Sequence, residues 1–512
     1  MKLRESGTVS AHAASPARAR EVGLRVLTWV LLVLAMSRGV ALLVHEPMVG
    51  LANNYDMIRV QACIDAYPVR AESVPPWSNS WQAPIEAYRF RDDVDAECFM
   101  TSESLIAWVA RPALAWEAKR DAAQGATASA TTGAFSMRTV GWFKLTLLGV
   151  ACVVISLLLI AQGRAGAAAV NALIAALVLM DPGVTLYFNT FYAEFSALLF
   201  GYLAVGLAFV LLGEPTPGRG CLILLGVAVV LACLSKVQHL AFGLMLLGAL
   251  GFAARVSRRK VRRALTITLL VSGALGAAAQ IVHLNTAATA SMGRANITNV
   301  VFEAVLGSSS APSRTAAALG LPEHCSAMAG ANWFSPGVAQ QHPCPEVFEV
   351  SRLRIVSLAF SEPDTLARAW GRGLLASRPW IPPLLGKVAR RDSAPLPEAL
   401  YTIDGWLSGL PVPLYALLLF GPAILMLLAL ASSVPRRLPV PVLFVLATLA
   451  ALPPCMLSIV VLGDGLADTA KQFHLAIPAA VAFWLIAAAV VPGTWLARCE
   501  LDDEDVAAAA AR

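Results

Sequence analysis

The sequence predicts an all-α polytopic membrane protein, with about ten transmembrane helices and two large extracytoplasmic loops. Three observations support this fold class. Hydrophobic residues make up 57% of the 512 residues and charged residues only 14%, whereas a soluble domain carries about 25% charged residues. The apolar residues fall into long separate runs, and the short basic connections between these runs all fall on one predicted side of the membrane.

The predicted spans are the apolar runs long enough to cross the hydrocarbon core. A transmembrane helix needs roughly 20 apolar residues. Runs that approach this length are Leu24–Val44, Val140–Ala161, Ala165–Met180, Phe195–Leu212, Cys221–Leu234, Leu240–Ala253, Ala264–Leu284, Val412–Ala431, Leu438–Leu462 and Leu475–Val491. The fifth and sixth runs have 14 residues each, or about 21 Å of helix. The turn between them, Ser235 to Gln238, is therefore expected to lie at membrane depth.

The short loops predict the orientation. Residues 1–23 are polar and basic, and no cleavage site follows the first run, so they are predicted to be a cytoplasmic tail. The connections at 162–164, 213–220, 255–264 and 436–437 all carry arginine and fall on the same side, as the positive-inside rule requires. Residues 45–138 and 285–410 then form two extracytoplasmic loops, separated by the spans of 139–284. Residues 411–496 hold the last three spans, and 497–512 form a cytoplasmic tail.

The cysteines agree with this orientation. Four of the nine cysteines lie in the two long loops, two in each, at Cys63, Cys98, Cys325 and Cys344. An even number per loop in an oxidising compartment indicates the disulfides Cys63–Cys98 and Cys325–Cys344. The alternative is four unpaired thiols, because sequence alone does not give connectivity.

Two short turns share a Lys/His pattern. Lys236 precedes His239 by three residues, and Lys471 precedes His474 by three. Residues three apart share a helix face, and a helix N-terminus favours anions, so each pair suits a phosphate. The alternative is that these side chains reach to the membrane interface.

Acidic residues collect at the same side of the predicted bundle. Asp56 follows the first span within "NNYDMIR" and is a candidate general base, with Asn54 and Arg59 beside it. Glu194, after Tyr192 at the mouth of the fourth span, is a second candidate. Ordinary loop polarity is the alternative. A divalent cation near Asp56 and Glu194 is a hypothesis, since no ligand spacing requires it.

Several function classes are excluded by their missing motifs. The chain has no Walker-type loop, dinucleotide fingerprint or zinc spacing, and its net charge of +6 comes with no nucleic-acid recognition module. The cytoplasmic loops are too short for a nucleotide-binding domain. A lipid-carried activated group fits a site on the extracytoplasmic side.

The chain resembles the membrane glycosyltransferases of the C superfamily (GT-C), and more narrowly the bacterial surface-glycan hexose transferases of the WsfD type. The resemblance lies in "GLANNYDMIRV" (50–60), "YFNTFYAEFSALLF" (187–200), "LSKVQHLAFG" (234–243), "NVVFEAVL" (299–306), "AALGLPEHCSAMAG" (317–330) and "GDGLADTAKQFHLA" (463–476). The chain departs from the pattern at Tyr55 and at Gln472-Phe473.

This resemblance implies an inverting glycosyltransferase in a bacterial inner membrane, with its active site on the periplasmic side. Asp56 would deprotonate an acceptor hydroxyl on a glycan or a lipid-linked acceptor, and the donor would be a polyprenyl-phosphate hexose. The remaining residues expected at the substrate are Asn54, Arg59, Tyr192, Glu194, Lys236, Gln238, His239, Lys471 and His474. Alternatives are a transporter or flippase of a lipid-linked glycan, a glycan polymerase or ligase, and an assembly subunit.

Overall fold

The computed structural model describes residues 16–52, 57–69, 85–94, 98–124, 133–214, 218–260, 262–284, 287–382, 385, 387–388, 397–431 and 438–490. Within them the prediction of an all-α polytopic membrane protein is confirmed for the apolar part of the chain. Seven helices are long and apolar enough to cross a membrane, and an eighth candidate is bent. These seven are α1 (Pro16–Leu43), α3 (Met137–Ala161), α5 (Glu194–Gly213), α7 (Phe242–Ser257, counted from Val237), α8 (Arg263–Leu284), α12 (Val412–Ala431) and α13 (Val440–Gly463).

Two further apolar helices are shorter, α6 (Arg219–Ser235) and α14 (Ala476–Val490). Each of the ten predicted runs is therefore helical, although only seven or eight satisfy the length criterion. The predicted length of 14 residues for the fifth and sixth runs is wrong, because α6 has 17 residues and α7 has 16. Backbone hydrogen bonding continues past the last apolar side chain, so the length of an apolar run underestimates the length of the helix. At 17 residues, α6 is about 26 Å long, still short of the roughly 30 Å hydrocarbon core, so the depth of Lys236 stays a prediction.

The bent candidate shapes the turn that leads into α5. Helix α4 (Ala165–Ile174) continues as a π-helical turn, Ala175–Leu179, and the next helical pair turns away by 70° at Asp181. The Asp181 carboxylate accepts from the backbone N–H of Gly183 (3.0 Å) as an N-cap, and Pro182 occupies the first helical position. It also accepts from the Thr402 hydroxyl and pairs with Arg38 of α1. Asp181 thus holds three parts of the chain together at this bend.

The first long connection, between α1 and α3, is not purely helical. Strand β1 (Val49–Leu51) is followed by a three-stranded antiparallel sheet, β2 (Ala66–Pro68), β3 (Ala87–Phe90) and β4 (Phe135–Ser136), in the order β2-β3-β4. Helix α2 (Ser102–Gln124) lies between β3 and β4 in the chain. These strands are two to four residues long, so they do not change the all-α class of the protein.

The second long connection, between α8 and α12, has its own apolar core. Helix α9 (Ala287–Thr298) continues as a π-helical turn, Asn299–Val305, and helices α10 (Arg352–Ser361) and α11 (Pro363–Ala376) follow. Phe302, Leu306, Ile355 and Leu366 are buried together in this core. Strand β5 (Lys387–Val388) pairs with β1 and so joins the two connections. The end of the bundle that carries both connections is called the loop end below.

Both cysteine pairs are bonded as the sequence predicts. Cys63 and Cys98 are joined within the first connection, and Cys325 and Cys344 within the second. Each disulfide closes a loop inside one connection, across 35 and 19 residues respectively. Neither disulfide therefore links the two connections to one another.

The remaining elements are helices of fewer than eight residues. They are Ile58–Gln61, Pro182–Thr185, Pro312–Ala318, Val338–Gln341, Ile403–Gly409 and Thr469–Gln472, together with the 3-10 turns Ala62–Ile64, Leu186–Asn189, Val237–His239, Leu306–Ser308, Glu323–Met328, Pro345–Glu349 and Glu398–Leu400. Several of these short pieces connect the long helices at the loop end, and three of them carry site residues.

Candidate functional site

A buried carboxylate at the start of α5 is the centre of the candidate site. Glu194 is 3% exposed. The Lys236 ammonium lies 2.7 Å from its Oε1 oxygen. The charge of Lys471 also acts on this carboxylate, and His474 lies nearby. Glu194 is therefore surrounded by basic groups from two other turns.

Lys236 reaches Glu194 from the turn after α6. Its backbone is extended (φ −160°), and it precedes the 3-10 turn Val237–His239. Lys236 and His239 are therefore not one turn apart on a helix, and the expected shared helical face is corrected. Helix α7 starts only at Phe242, because the residues between Lys236 and α7 form the connecting turn.

His239 has a defined hydrogen-bonding arrangement in this turn. The Ser235 hydroxyl donates to the Ala232 carbonyl at 2.6 Å, so it accepts from Nδ1–H of His239 at 2.8 Å. Nε2 then accepts from the Gln238 amide at 3.2 Å. These partners fit a neutral imidazole with its proton on Nδ1.

The second Lys/His turn meets the first. Lys471 belongs to the short helix Thr469–Gln472, and His474 follows it. The rings of His239 and His474 are 5.7 Å apart. The Gln238 amide also donates to the Gln472 carbonyl at 3.0 Å. Two turns more than 230 residues apart in sequence, at 238 and 472, thus form one cluster.

Aromatic rings cover this cluster on one side. The Lys471 ammonium lies 4.9 Å from the centre of the Tyr192 ring and 3.2 Å from Oδ2 of Asp468. The Tyr187 ring lies 6.3 Å from that of Tyr192 and 6.1 Å from that of His474. Tyr192 therefore lies at the site, and Tyr187 joins it although the sequence analysis did not select it.

His474 is a neutral base at pH 7. Burial lowers its pKa to about 4; the nearby Glu194 carboxylate opposes this shift and the Lys236 charge adds to it. Its Nδ1 atom is 3.1 Å from the Lys471 carbonyl, which can only accept, so Nδ1 carries the proton. Within the described residues, Nε2 of His474 and the hydroxyl of Tyr187 make no hydrogen bond. Because buried polar atoms normally have partners, these two atoms suit hydroxyl groups of a ligand.

A second buried ion pair supports the site, and the sequence analysis missed it. Lys144 of α3 and Glu103 of α2 lie 2.5 Å apart, with side chains only 1% and 0% exposed. Lys144 donates to the Thr190 carbonyl at 2.6 Å, and Glu103 accepts from the Ser196 N–H at 3.1 Å. The pair therefore holds the turn before α5 and the first turn of α5. A lysine inside an apolar run can be recognised in the sequence as a candidate functional residue. Its acidic partner could not be recognised in the same way, because it lies 41 positions earlier, in a helix of the first long connection.

The Lys471 turn is held by the second long connection. Glu303, in the π-helical turn, accepts from the Leu466 N–H at 3.2 Å. Arg352 donates to the carbonyls of Leu462 and Gly463 at 3.1 and 3.0 Å. Gly465 has φ +83° and lies against the Asn299 backbone. The second connection thus sets the position of Lys471 and His474.

An apolar cavity of about 390 Å³ opens beside this cluster. Its lining includes Leu198 of α5, Phe242 of α7 and Leu475, which follow Glu194, His239 and His474 by four, three and one residues. The Asn171 amide oxygen accepts from the Tyr202 hydroxyl at 2.9 Å within the same lining. The cavity therefore lies among the apolar helices, and three of the residues that line it follow cluster residues closely in the chain.

Three of the residues expected at the substrate lie outside this description. Asn54 and Asp56 are not among the described residues, and of Arg59 only the backbone is described. Met57 is the first described residue after Asp56, and its Sδ accepts from the Phe191 N–H at 3.3 Å. Met57 therefore lies at the turn that carries Tyr187 and Tyr192.

The described residues include one cluster of possible metal ligands, His324, Cys325, Cys344 and Glu346. Its two sulfur atoms form the disulfide of the second connection, so they offer no thiolate to a metal. At the buried cluster, Glu194 faces ammonium groups rather than a second acid. The hypothesis of a divalent cation beside Asp56 and Glu194 stays a prediction.

Comparison with known families adds one decisive observation. The family model described as YfdI N-terminal transmembrane domain matches residues 17–505. The chain belongs to this family. As a YfdI-family chain it is a multi-pass membrane protein, and the match spans the site residues as well as both long connections. No curated protein and no solved structure matches the chain. The narrower resemblance to WsfD-type hexose transferases stays a prediction.

Proposed function

We propose that this protein is an inverting GT-C glycosyltransferase that transfers a hexose from a polyprenyl-phosphate donor to a cell-envelope glycan or lipid-linked acceptor, at the extracytoplasmic face of a bacterial inner membrane. The observation that carries the proposal is the convergence of Glu194, Lys236, His239, Lys471 and His474 on one buried cluster beside an apolar cavity. Two lysine ammonium groups beside an apolar cavity fit a ligand with a phosphate at one end and a hydrocarbon chain at the other. Membership of a membrane-protein family is consistent with this ligand.

The chemistry of the donor explains the need for cations. A polyprenyl-phosphate sugar is a phosphodiester with one negative charge. When the bond from anomeric carbon to phosphate oxygen breaks, the leaving polyprenyl phosphate gains a second charge. Fixed cations that meet this developing charge lower the barrier. Lys471 and Lys236 would serve this role, with Arg59 behind them.

The other bond is made to the acceptor. Asp56 would take the proton of an acceptor hydroxyl, and that oxygen would attack the anomeric carbon from the face opposite the phosphate, so the configuration inverts. Tyr187 and Nε2 of His474 would bind sugar hydroxyl groups, since a neutral imidazole nitrogen accepts a hydroxyl hydrogen and repels an anionic oxygen. Asn54, Tyr192 and Gln238 would complete the sugar site. The apolar cavity would receive the first isoprene units of the donor.

The test is transfer from a panel of polyprenyl-phosphate hexoses to cell-envelope acceptors by the purified protein and by Asp56→Asn. We expect transfer by the wild type and a loss of about 10²-fold or more in the variant, the scale of general-base catalysis. Unchanged transfer by a folded Asp56→Asn would move the base to another residue, with Glu194 tested next. If the wild type transfers nothing but moves a lipid-linked sugar across vesicles, the protein is a flippase and the proposal is wrong.

Gly465→Ala tests whether the second connection sets the Lys471 turn. An added Cβ would lie 2.6 Å from the Asn299 carbonyl carbon, so the turn must move. We expect transfer to fall on the order of ten-fold or more, because a displacement of about 1 Å can cost that much. The control is Gly330→Ala, which has a similar φ of +87° but whose Cβ meets no described atom within 4 Å. Equal losses in both variants would assign the effect to backbone strain alone.

A further inference from the structure

Helix α2 of the first long connection has an apolar face with exposed side chains. Leu105, Trp108, Val109, Pro112 and Trp116 follow the spacing of one helix face and are exposed, with both tryptophans 63% exposed. The opposite face is buried, at Ile106, Ala107, Ala110, Leu114 and Ala118. Helix α2 is therefore apolar both on its exposed face and on its buried face.

The charges on α2 are divided between the two faces. Lys119 and Arg120 are exposed on the tryptophan face, and the Arg120 guanidinium lies 4.9 Å from the Trp116 ring. The acids point the other way. Glu117 accepts from the Ser136 N–H at 3.2 Å, and Asp121 accepts from the Gly133 N–H at 2.9 Å. The exposed face thus combines tryptophan with positive charge and presents no acid.

The position of α2 connects this face to the membrane-spanning part. Its first turn is fixed among the spans by the contact of Glu103 with Lys144 of α3 and with the Ser196 N–H of α5. Helix α2 packs against α3, α5 and α6. Since Ser196 lies in the first turn of α5 at the loop end, α2 starts at the level where the apolar spans end.

We propose that the tryptophan face of α2 inserts into the headgroup region of an anionic lipid bilayer at the loop end. Tryptophan and basic residues are enriched at this depth because the indole ring has an apolar body and a polar N–H, and Lys or Arg attracts anionic headgroups. The partner is the lipid surface itself. Because Glu103 lies at the start of the same helix, the bilayer supports the element that holds the turn before α5.

The experiment isolates the two tryptophans in the full-length protein. The wild type and Trp108→Phe/Trp116→Phe are reconstituted in nanodiscs of equal phosphatidylcholine and phosphatidylglycerol, with the lipids unmodified, brominated near the carbonyl, or brominated near the middle of the chain. The difference in emission between the two proteins reports Trp108 and Trp116. We expect blue-shifted difference emission that is mostly lost with shallow bromine and less affected by deep bromine. The control is the difference in emission between the wild type and Trp333→Phe, which reports a tryptophan of the second connection. This difference is expected to keep its intensity with both brominated lipids.

Two outcomes would overturn the proposal. Red-shifted difference emission without quenching would place the face in water. Blue-shifted emission without quenching would show a protein partner or a second copy instead. The contribution of charge is measured with Lys119→Gln/Arg120→Gln, in nanodiscs that contain different fractions of phosphatidylglycerol. Bromine quenching of Trp108 and Trp116 should depend on the phosphatidylglycerol fraction in the wild type and not in this variant. An equal dependence in both proteins would contradict the proposed contact with anionic headgroups.

Discussion

Glu103→Ala is expected to destabilise the protein by about 3–5 kcal/mol, because it leaves the fully buried Lys144 ammonium without its carboxylate. The Coulomb attraction in this pair offsets the cost of removing both charges from water. Once one partner is removed, the desolvation cost of the other is no longer offset. The measurement is thermal unfolding of the purified protein in matched detergent.

The control for this prediction is an ion pair of the same kind in an exposed place. Glu46 and Arg138 lie 2.6 Å apart, but Glu46 is 70% exposed. Glu46→Ala should therefore cost no more than about 1 kcal/mol. Glu103→Met/Lys144→Met removes both charges and is expected to be more stable than Glu103→Ala, since apolar replacement of a buried pair is often neutral. If Glu103→Ala is no less stable than Glu46→Ala, the buried pair does not support the turn before α5.

Lys471→Gln is expected to lower kcat for transfer by about 10²–10³-fold with a smaller change in KM. The charge on the leaving phosphate appears as the bond breaks, so a cation that meets it acts mainly in the transition state. The fold should tolerate the substitution, because its partner Asp468 is 30% exposed and can be hydrated. Steady-state transfer at varied donor concentration gives kcat and KM separately.

Asp468→Asn is the matched control for Lys471→Gln. It removes the charge of the carboxylate at Lys471 and keeps the cation, so transfer should stay within a few-fold of the wild type. A loss as large as that of Lys471→Gln would indicate that the ion pair only supports the turn. A Lys471→Gln variant with wild-type kcat would remove Lys471 from the proposed phosphate site.

Parts of the site could be predicted because their signals are local. The Lys/His spacing at 236–239 and 471–474 marks two polar turns beside apolar runs, and each can be recognised without its neighbours. The structure brings these turns together, with 5.7 Å between the two histidine rings. The predicted helical face of the 236–239 pair was wrong, because α7 begins only at Phe242 and the backbone of Lys236 is extended. Spacing predicts a face only where the chain is helical.

Other parts needed the tertiary structure because their partners are distant in sequence. In the sequence, Glu103 cannot be distinguished from other acidic loop residues. Only the structure shows that it pairs with Lys144. The apolar face of α2 looks like a core-facing stripe, since periodicity alone does not distinguish a buried face from an exposed one. Tyr187 joins the site only because the bend at Asp181 turns its segment toward His474.

The sequence by itself determined the class of protein, the order of its spans and the even distribution of loop cysteines. Hydropathy and cysteine number are properties of short segments, and a bilayer selects helices by their length and polarity. The tertiary structure alone decided which carboxylate meets which lysine and where α6 and α7 end. It also decided that the tryptophan face of α2 is exposed. Those outcomes depend on contacts between segments far apart in the chain, where burial makes each unpaired charge costly and so selects one arrangement.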